Sequence, residues 1–358
     1  MKNVQFPVLS EQERKERLNI PAGRIRLVID TDAGVECDDQ FNIAWALCSK
    51  ERFNVEAVYA APFSLDCIGH LLGGEPEKLT GSTTYAQNPA DGMEASYQEI
   101  LRVFSILKED TTGRVYRGAK TYIKDQGCAV ESEAAKDLIA RAMSSDEILY
   151  VASTGVPTNI ASALLMEPEL VKKIVVIWLG GEPLYFGHGV DFNLMQDIEA
   201  VRVLLNSGVP LVLIPCMNVA SLLTLTKAEA EQFLVGKNPI CDYLSQLVMK
   251  TYGDDAAAAQ MVGLLRHLYL TGREDRPDEY LMQFMNGPAL WSRIICDIST
   301  TAFLKNPGWM LSTLETAPIL NDDLTWGVDK SRHSIRVVNY CFRDLVYGDM
   351  LACLTSAN

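Results

Sequence analysis

The chain has 358 residues, 48% of them hydrophobic and 22% charged, so it can bury a large core and lacks the signature of a disordered chain. Its formal charge of −14, with no basic stripe, argues against a nucleic-acid partner, because such binding relies on clustered Lys and Arg neutralising phosphates. Nine cysteines without a CxxC pair, four histidines without zinc-ligand spacing, no apolar run of roughly 18 residues and no signal-peptide core lead to the expectation of a cytoplasmic protein that does not engage a membrane.

Short apolar runs that read as buried strands alternate with stretches of helical period. In chain order they are Ile25–Ile29 then Gln40–Ser49, Val55–Ala60 then Ser96–Leu107, Ile148–Ser153 then Thr158–Met166, Ile174–Leu179 then Ile198–Asn206, and Leu211–Pro215. Val- and Ile-rich strands uninterrupted by polar residues suit a parallel sheet buried on both faces. The pattern predicts an α/β fold, a mostly parallel sheet covered by helices on both faces. Residues 227–271 have helical spacing, and a strand-like Ile335–Tyr340 and a helix near Leu345–Leu354 close the chain. With no linker or repeat, the expectation is one domain over residues 1–358, its helical excursion lying near the carboxyl ends of the strands, where such sheets bind ligands.

The most informative segment follows the first strand. Asp30, Asp32, Glu36, Asp38 and Asp39 put five carboxylates within ten residues, between a buried strand and a helix. Crowding of this kind is unfavourable unless a cation offsets it. The bland account has Asp38 and Asp39 merely favouring a helix amino terminus, which leaves Asp30 and Asp32 unexplained. A hydrophobic strand ending in Asp-x-Asp also opens the haloacid-dehalogenase phosphatases, but those usually place Thr or Val where this chain has Gly34, and the double Asp downstream fits them poorly.

The segment resembles the amino-terminal signature of nucleoside hydrolases, Asp-x-Asp-x-Gly-x-Asp-Asp, with two extra residues between Gly34 and Asp38. Three further blocks are similar to that family's in order and spacing. Thr154-Gly155-Val156-Pro157-Thr158-Asn159 looks like its Thr-Gly-x-x-Thr-Asn, with Thr158 or Asn159 expected to cap the next helix. Asp191-Phe192-Asn193 looks like its Glu-Phe-Asn, with Asp197 expected to cap the helix that follows, and Cys296-Asp297 stands where the family has His-Asp or, in some bacterial members, Cys-Asp.

The resemblance implies hydrolysis of the N-glycosidic bond of a ribonucleoside to ribose and free base, and a homodimer or homotetramer. It also implies a Ca²⁺ site formed by Asp32, Asp39, the Thr154 carbonyl and Asp297, an all-oxygen set of the kind this cation takes. Asp32 would accept the proton of the attacking water. Asp38, Asn193 and Asp297 would contact the ribose, Asp191 its 5′-hydroxyl with a shorter arm than Glu, and Glu182 stands near where relatives have Asn. Cys296 would help the base depart, or would simply be a small buried residue. Tyr252, Arg266 and Tyr269 are possible base contacts. Because the metal ligands are kept while ribose and base contacts differ, a riboside-binding protein with little or no turnover is the alternative.

Overall fold

Strand β1 (Ile25–Thr31) is apolar on both faces: Leu27 and Ile29 enter one hydrophobic cluster and Val28 the other. Strand β5 (Ile174–Leu179) divides in the same way, Val175, Ile177 and Leu179 against Ile174, Val176 and Trp178. Burying each such side chain contributes about 2 kcal/mol, and with period-2 alternation the gain arises on both faces of the sheet at once. This is why the strands read as continuous apolar runs.

The computed structural model describes residues 4–65, 86–250 and 292–357. The other strands are β2 (Phe53–Ala60), β3 (Val115–Arg117), β4 (Leu149–Ser153), β6 (Leu211–Ile214), β7 (Thr224–Thr226), β8 (Ser292–Ile294), β9 (Met310–Thr316), β10 (Ile319–Leu320), β11 (Trp326–Gly327) and β12 (Ser334–Cys341). Eight of them form the main sheet in the order β3-β2-β1-β4-β5-β6-β12-β9. All neighbours pair in parallel except β12 and β9. The mostly parallel, helix-covered sheet is the architecture the sequence predicts.

The helices are α1 (Glu11–Arg17), α2 (Asp38–Cys48), α3 (Pro89–Ile106), α4 (Ile123–Gln126), α5 (Glu133–Met143), α6 (Thr158–Met166), α7 (Phe192–Gln196), α8 (Ile198–Asn206), α9 (Lys227–Phe233), α10 (Pro239–Met249), α11 (Ile298–Lys305) and α12 (Arg343–Thr355). One cluster packs α2, α3, α10, α11 and α12 on one face of the sheet, the other α5, α6 and α8 on the opposite face. Within 227–250 the helical stretch is interrupted: Gly236 takes φ +73° and Asn238 caps α10 by accepting the Cys241 N–H at 2.9 Å. Residues 251–271 of the expected excursion lie outside the described residues. No described helix is long and apolar enough to cross a membrane.

The sheet order fixes the site. The chain runs outward from β1 through β2 to β3, then returns to β4 on the other side of β1 and continues through β5 to β6. Such a reversal opens a crevice at the carboxyl ends of β1 and β4, a position where open α/β sheets bind ligands.

Candidate active site

The two strand ends are tied as they leave the sheet, with the Thr154 N–H donating to the Asp30 carbonyl at 2.9 Å. Asp30 is fully buried, and burial pushes its carboxyl up to about 7, opposed by a hydrogen bond from Asn159 Nδ2 at 2.8 Å. Asn159 also donates to the Ala60 carbonyl at 3.2 Å and accepts the Ala119 N–H at 2.8 Å, joining β1, β2 and the segment after β3.

The capping role expected of Thr158 or Asn159 is therefore not what these side chains do. Pro157 occupies the N-cap position of α6, which has no side-chain cap bond, and the Thr158 hydroxyl donates to Asp197 at 2.7 Å. Both residues are fully buried and find partners across the crevice instead of on their own helix. Asp197 does cap α8, and also accepts the Ile123 and Lys124 N–H groups.

Asp32 begins a tight turn in which its carbonyl accepts the N–H groups of Gly34 and Val35. Its carboxylate lies against Gly155, where an added Cβ would stand 3.0 Å from both Cγ and Oδ1 of Asp32. A side chain at 155 would thus compete with Asp32 for space.

Asp38 and Asp39 occupy the first turn of α2, where the helix dipole favours carboxylates, but Cys37 is the N-cap and makes no side-chain cap bond. Asp39 Oδ1 accepts from the hydroxyls of Thr31 and Thr154, the latter at 2.9 Å. Asp38 Oδ2 accepts the Cys296 N–H at 3.0 Å. Asp297 holds the N-cap position of α11 without capping it, and its carboxyl shares a hydrogen bond with Asp39.

The result is a buried cluster in which one carboxylate oxygen each from Asp38, Asp39 and Asp297 lies within 4.8 Å of the other two. Asp32 adds its charge from beside them. Burial first and mutual repulsion second raise the carboxyls of Asp32 and Asp297 well above the ordinary range. Burial, aided by Glu36 and Asp39 and opposed by Arg293, pushes Asp38 up to about 8. Arg293, on β8, is ion-paired with Glu36. The donor set fits a hard divalent cation: all oxygen, several carboxylates, dry surroundings, and, once these carboxyls ionise, more negative charge than Arg293 alone offsets among the described residues.

The residues expected to face the sugar are nearby and already engaged. Asn193 Nδ2 donates to the Thr154 carbonyl at 2.7 Å and to the Leu179 carbonyl at 3.0 Å. Asp191 caps α7 by accepting the Leu194 N–H at 2.8 Å, and the buried Glu182 accepts the Met217 N–H at 2.9 Å. The Cys296 thiol lies beside Cys216, and this neighbour, followed by burial, raises its pKa well above the ordinary value. Tyr252, Arg266 and Tyr269 lie outside the described residues.

Sequence reading missed Asn159 as the brace of Asp30, Gly155 as the space for Asp32, and Gln196, which accepts from the Ser64 N–H at 2.7 Å and from the Tyr122 hydroxyl at 2.6 Å. Gln196 stands three residues after Asn193, so helical spacing within the same block was the available signal.

Comparison with known proteins covers the later of these blocks, those around Thr154, Asn193 and Asp297. The profile of the family described as inosine-uridine preferring nucleoside hydrolase matches residues 77–339, about three quarters of the chain. The pyrimidine-specific ribonucleoside hydrolase RihA of Salmonella paratyphi A is 32% identical over 124 residues, which are 34% of this chain and 40% of that protein. The chain thus spans well under half the length of the curated relatives it matches. A plant nucleoside hydrolase, PpNRh1, superposes with a TM-score of 0.61 at 17% identity, covering 93% of this chain and 99% of that one. The type III effector protein XopQ, complexed with adenosine diphosphate ribose, superposes with a TM-score of 0.57 at 16% identity over 98% of this chain and 99% of that one. These likenesses establish a common fold.

Proposed function

Because the chain belongs to the inosine-uridine preferring nucleoside hydrolase family, we propose that it hydrolyses the N-glycosidic bond of ribonucleosides to ribose and free base with the help of Ca²⁺. The observation that carries the reading is the convergence of the buried Asp38, Asp39 and Asp297 carboxylates within 4.8 Å, beside Asp32, at the sheet's reversal point. Asp32, Asp39, Asp297 and the Thr154 carbonyl would hold the cation, and a set this rich in oxygen favours Ca²⁺ over Zn²⁺ or strictly octahedral Mg²⁺. When bound, the cation offsets the carboxylate charge and acidifies a water molecule.

The chain's own residues do the rest. Asp32 accepts a proton from the attacking water as its oxygen bonds to the anomeric carbon, and the carbon–nitrogen bond breaks with the electron pair going to the base. Buried carboxylates stabilise the positive character that develops in the sugar more than they stabilise the neutral ground state. Asp38, Asn193 and Asp297 orient the ribose hydroxyls, with Asp191 and Glu182 bounding the sugar. Cys296, whose thiol keeps its proton at neutral pH, donates a hydrogen bond to the departing base. Release of reducing sugar from a panel of ribonucleosides, by chelator-treated protein with and without added Ca²⁺, tests the proposal. Calcium-dependent ribose release is expected, and full turnover in excess chelator with no metal in the protein would overturn it.

One observation favours a second reading, a chain that keeps the cation and binds a riboside with little turnover. Asn193, Asp191 and Glu182 are engaged with backbone groups, so a sugar would have to share or displace those bonds. Saturable binding of a riboside by calorimetry with no ribose released would select that reading. A homodimer or homotetramer is part of the proposal, and a monomer in light scattering at micromolar concentration would remove that part alone.

A further inference from the structure

At the opposite end of α2 from the carboxylates, the helix closes on Cys48, whose thiol lies beside Cys353 of α12. Both cysteines are half-buried and reduced, and both line a cavity of about 540 Å³ that also takes in Lys50, Glu51, Lys305 and Asp349. Lys305 Nζ lies 2.8 Å from Ser49 Oγ, 2.9 Å from Asp349 Oδ1 and 3.1 Å from Glu51 Oε1. Ser49 Oγ is in turn 3.5 Å from Cys353 Sγ.

The two thiols are not equivalent. The neighbouring Cys48 thiol, opposed by burial and helped by Ser49 and the Lys305 charge, draws Cys353 down to about 7. The same contact, followed by burial, pushes Cys48 up. A thiol that ionises near neutral pH, touching one that does not and reached from a cavity, has the arrangement of an attacking and a resolving cysteine. The folded chain joins them from opposite ends of the sequence, and none of the site residues takes part.

We propose that Cys353 and Cys48 form a reactive dithiol that exchanges with low-molecular-weight disulfides such as oxidised glutathione, closing a disulfide between α2 and the C-terminal helix. The Cys353 thiolate attacks one sulfur of the small disulfide, whose S–S bond breaks, leaving a mixed disulfide on Cys353 and releasing one glutathione. The Cys48 sulfur then attacks Cys353 Sγ and releases the second glutathione. The two cysteine protons end on the two glutathiones, so the protein loses two electrons and the small disulfide gains them.

The full chain, incubated at neutral pH with oxidised glutathione, acid-quenched, alkylated and digested, is expected to yield a Cys48–Cys353 linked peptide that dithiothreitol abolishes. In Cys48→Ser the glutathione should instead remain on Cys353, and in Cys353→Ser residue 48 should stay unmodified. Closing so long a loop should also raise the melting temperature by roughly 5 °C in the native chain and in neither variant. The proposal is overturned if no linked peptide forms while the exposed Cys128 takes up glutathione. It is overturned equally if Cys48 is modified as fast without Cys353 as with it. Peptide mapping reads these outcomes whether or not the protein hydrolyses nucleosides.

Discussion

Removing one charge from the acidic cluster should stabilise the metal-free protein while weakening the calcium binding proposed above, and Asp38→Asn is the change that separates the two effects. In the folded chain the Asp38 carboxyl is raised from 3.8 to about 8, mainly by burial and by the charges of Glu36 and Asp39. A raised carboxyl means that the folded state keeps a proton the unfolded state has lost, so the associated stability is present below about pH 4 and disappears as pH rises through about 8. At about 1.4 kcal/mol per pKa unit the difference is on the order of 5 kcal/mol, a large fraction of the roughly 5–15 kcal/mol that holds a domain together. Asparagine has nearly the same shape, still accepts the Cys296 N–H, and carries no charge to lose.

Differential scanning calorimetry after chelation should show the native protein's melting temperature falling by about 10 °C between pH 5 and 8.5. The variant should fall by clearly less and be the more stable of the two at pH 8.5. Added calcium should flatten the native profile, because the cation replaces protons among the carboxylates, and should raise the variant's melting temperature far less. A metal-free native profile that is flat over this range, or an Asp38→Asn profile as steep as the native one, would refute the electrostatic account.

Asp32→Asn should lower kcat by about 10³-fold or more in a ribose-release assay, since it removes the proposed cation ligand and the proposed proton acceptor together, whereas Asp146→Asn, on a fully exposed side chain paired with Lys173, should leave kcat unchanged. Gly155→Ala should move the Asp32 carboxylate it would meet at 3.0 Å and weaken calcium binding at least about tenfold in a calorimetric titration, and unchanged affinity would show that Asp32 is not held by that contact. Cys296→Ala should slow a natural nucleoside by about 10²-fold yet leave p-nitrophenyl riboside, whose leaving group needs no help, nearly as fast; equal losses would mean that the thiol only packs.

Much of this was legible in the sequence, and the parts that were not share a physical character. The central strands were legible because both of their faces are apolar, which makes a continuous run. Strand β9 was not, because it is an antiparallel edge strand whose Leu311 and Leu314 are exposed among polar residues. Helix α5 was missed although its apolar residues recur with helical period, because its buried stripe, Ala134, Ala135, Leu138 and Ala142, is mostly alanine and the segment as a whole is not hydrophobic. The acidic cluster was legible because charge crowding is written locally in residues 30–39. Asn159 was assigned a local cap, the commonest use of such a residue before a helix, because its real partners, Asp30, Ala60 and Ala119, are distant in sequence and adjacent only through the parallel sheet.

The sheet order also brings together residues that stand far apart in the chain. Asp32, Asp38 and Asp39 precede the span that matches the family profile, whereas Thr154, Asn193 and Asp297 lie within it, and they meet because β1, first in the chain, is central in space. The acidic half is pinned by bonds to strand ends: Asp39 to the Thr31 and Thr154 hydroxyls, and Thr154 N–H to the Asp30 carbonyl. Those anchors fix where α2 begins relative to the ends of β1 and β4. Asp191, by contrast, is held by the first turn of the short helix α7, through the Leu194 N–H, and Glu182 by loop backbone, through the Met217 N–H. A change in either segment would move a residue proposed to bound the sugar and leave the proposed cation ligands in place, so on this reading the two halves can vary independently.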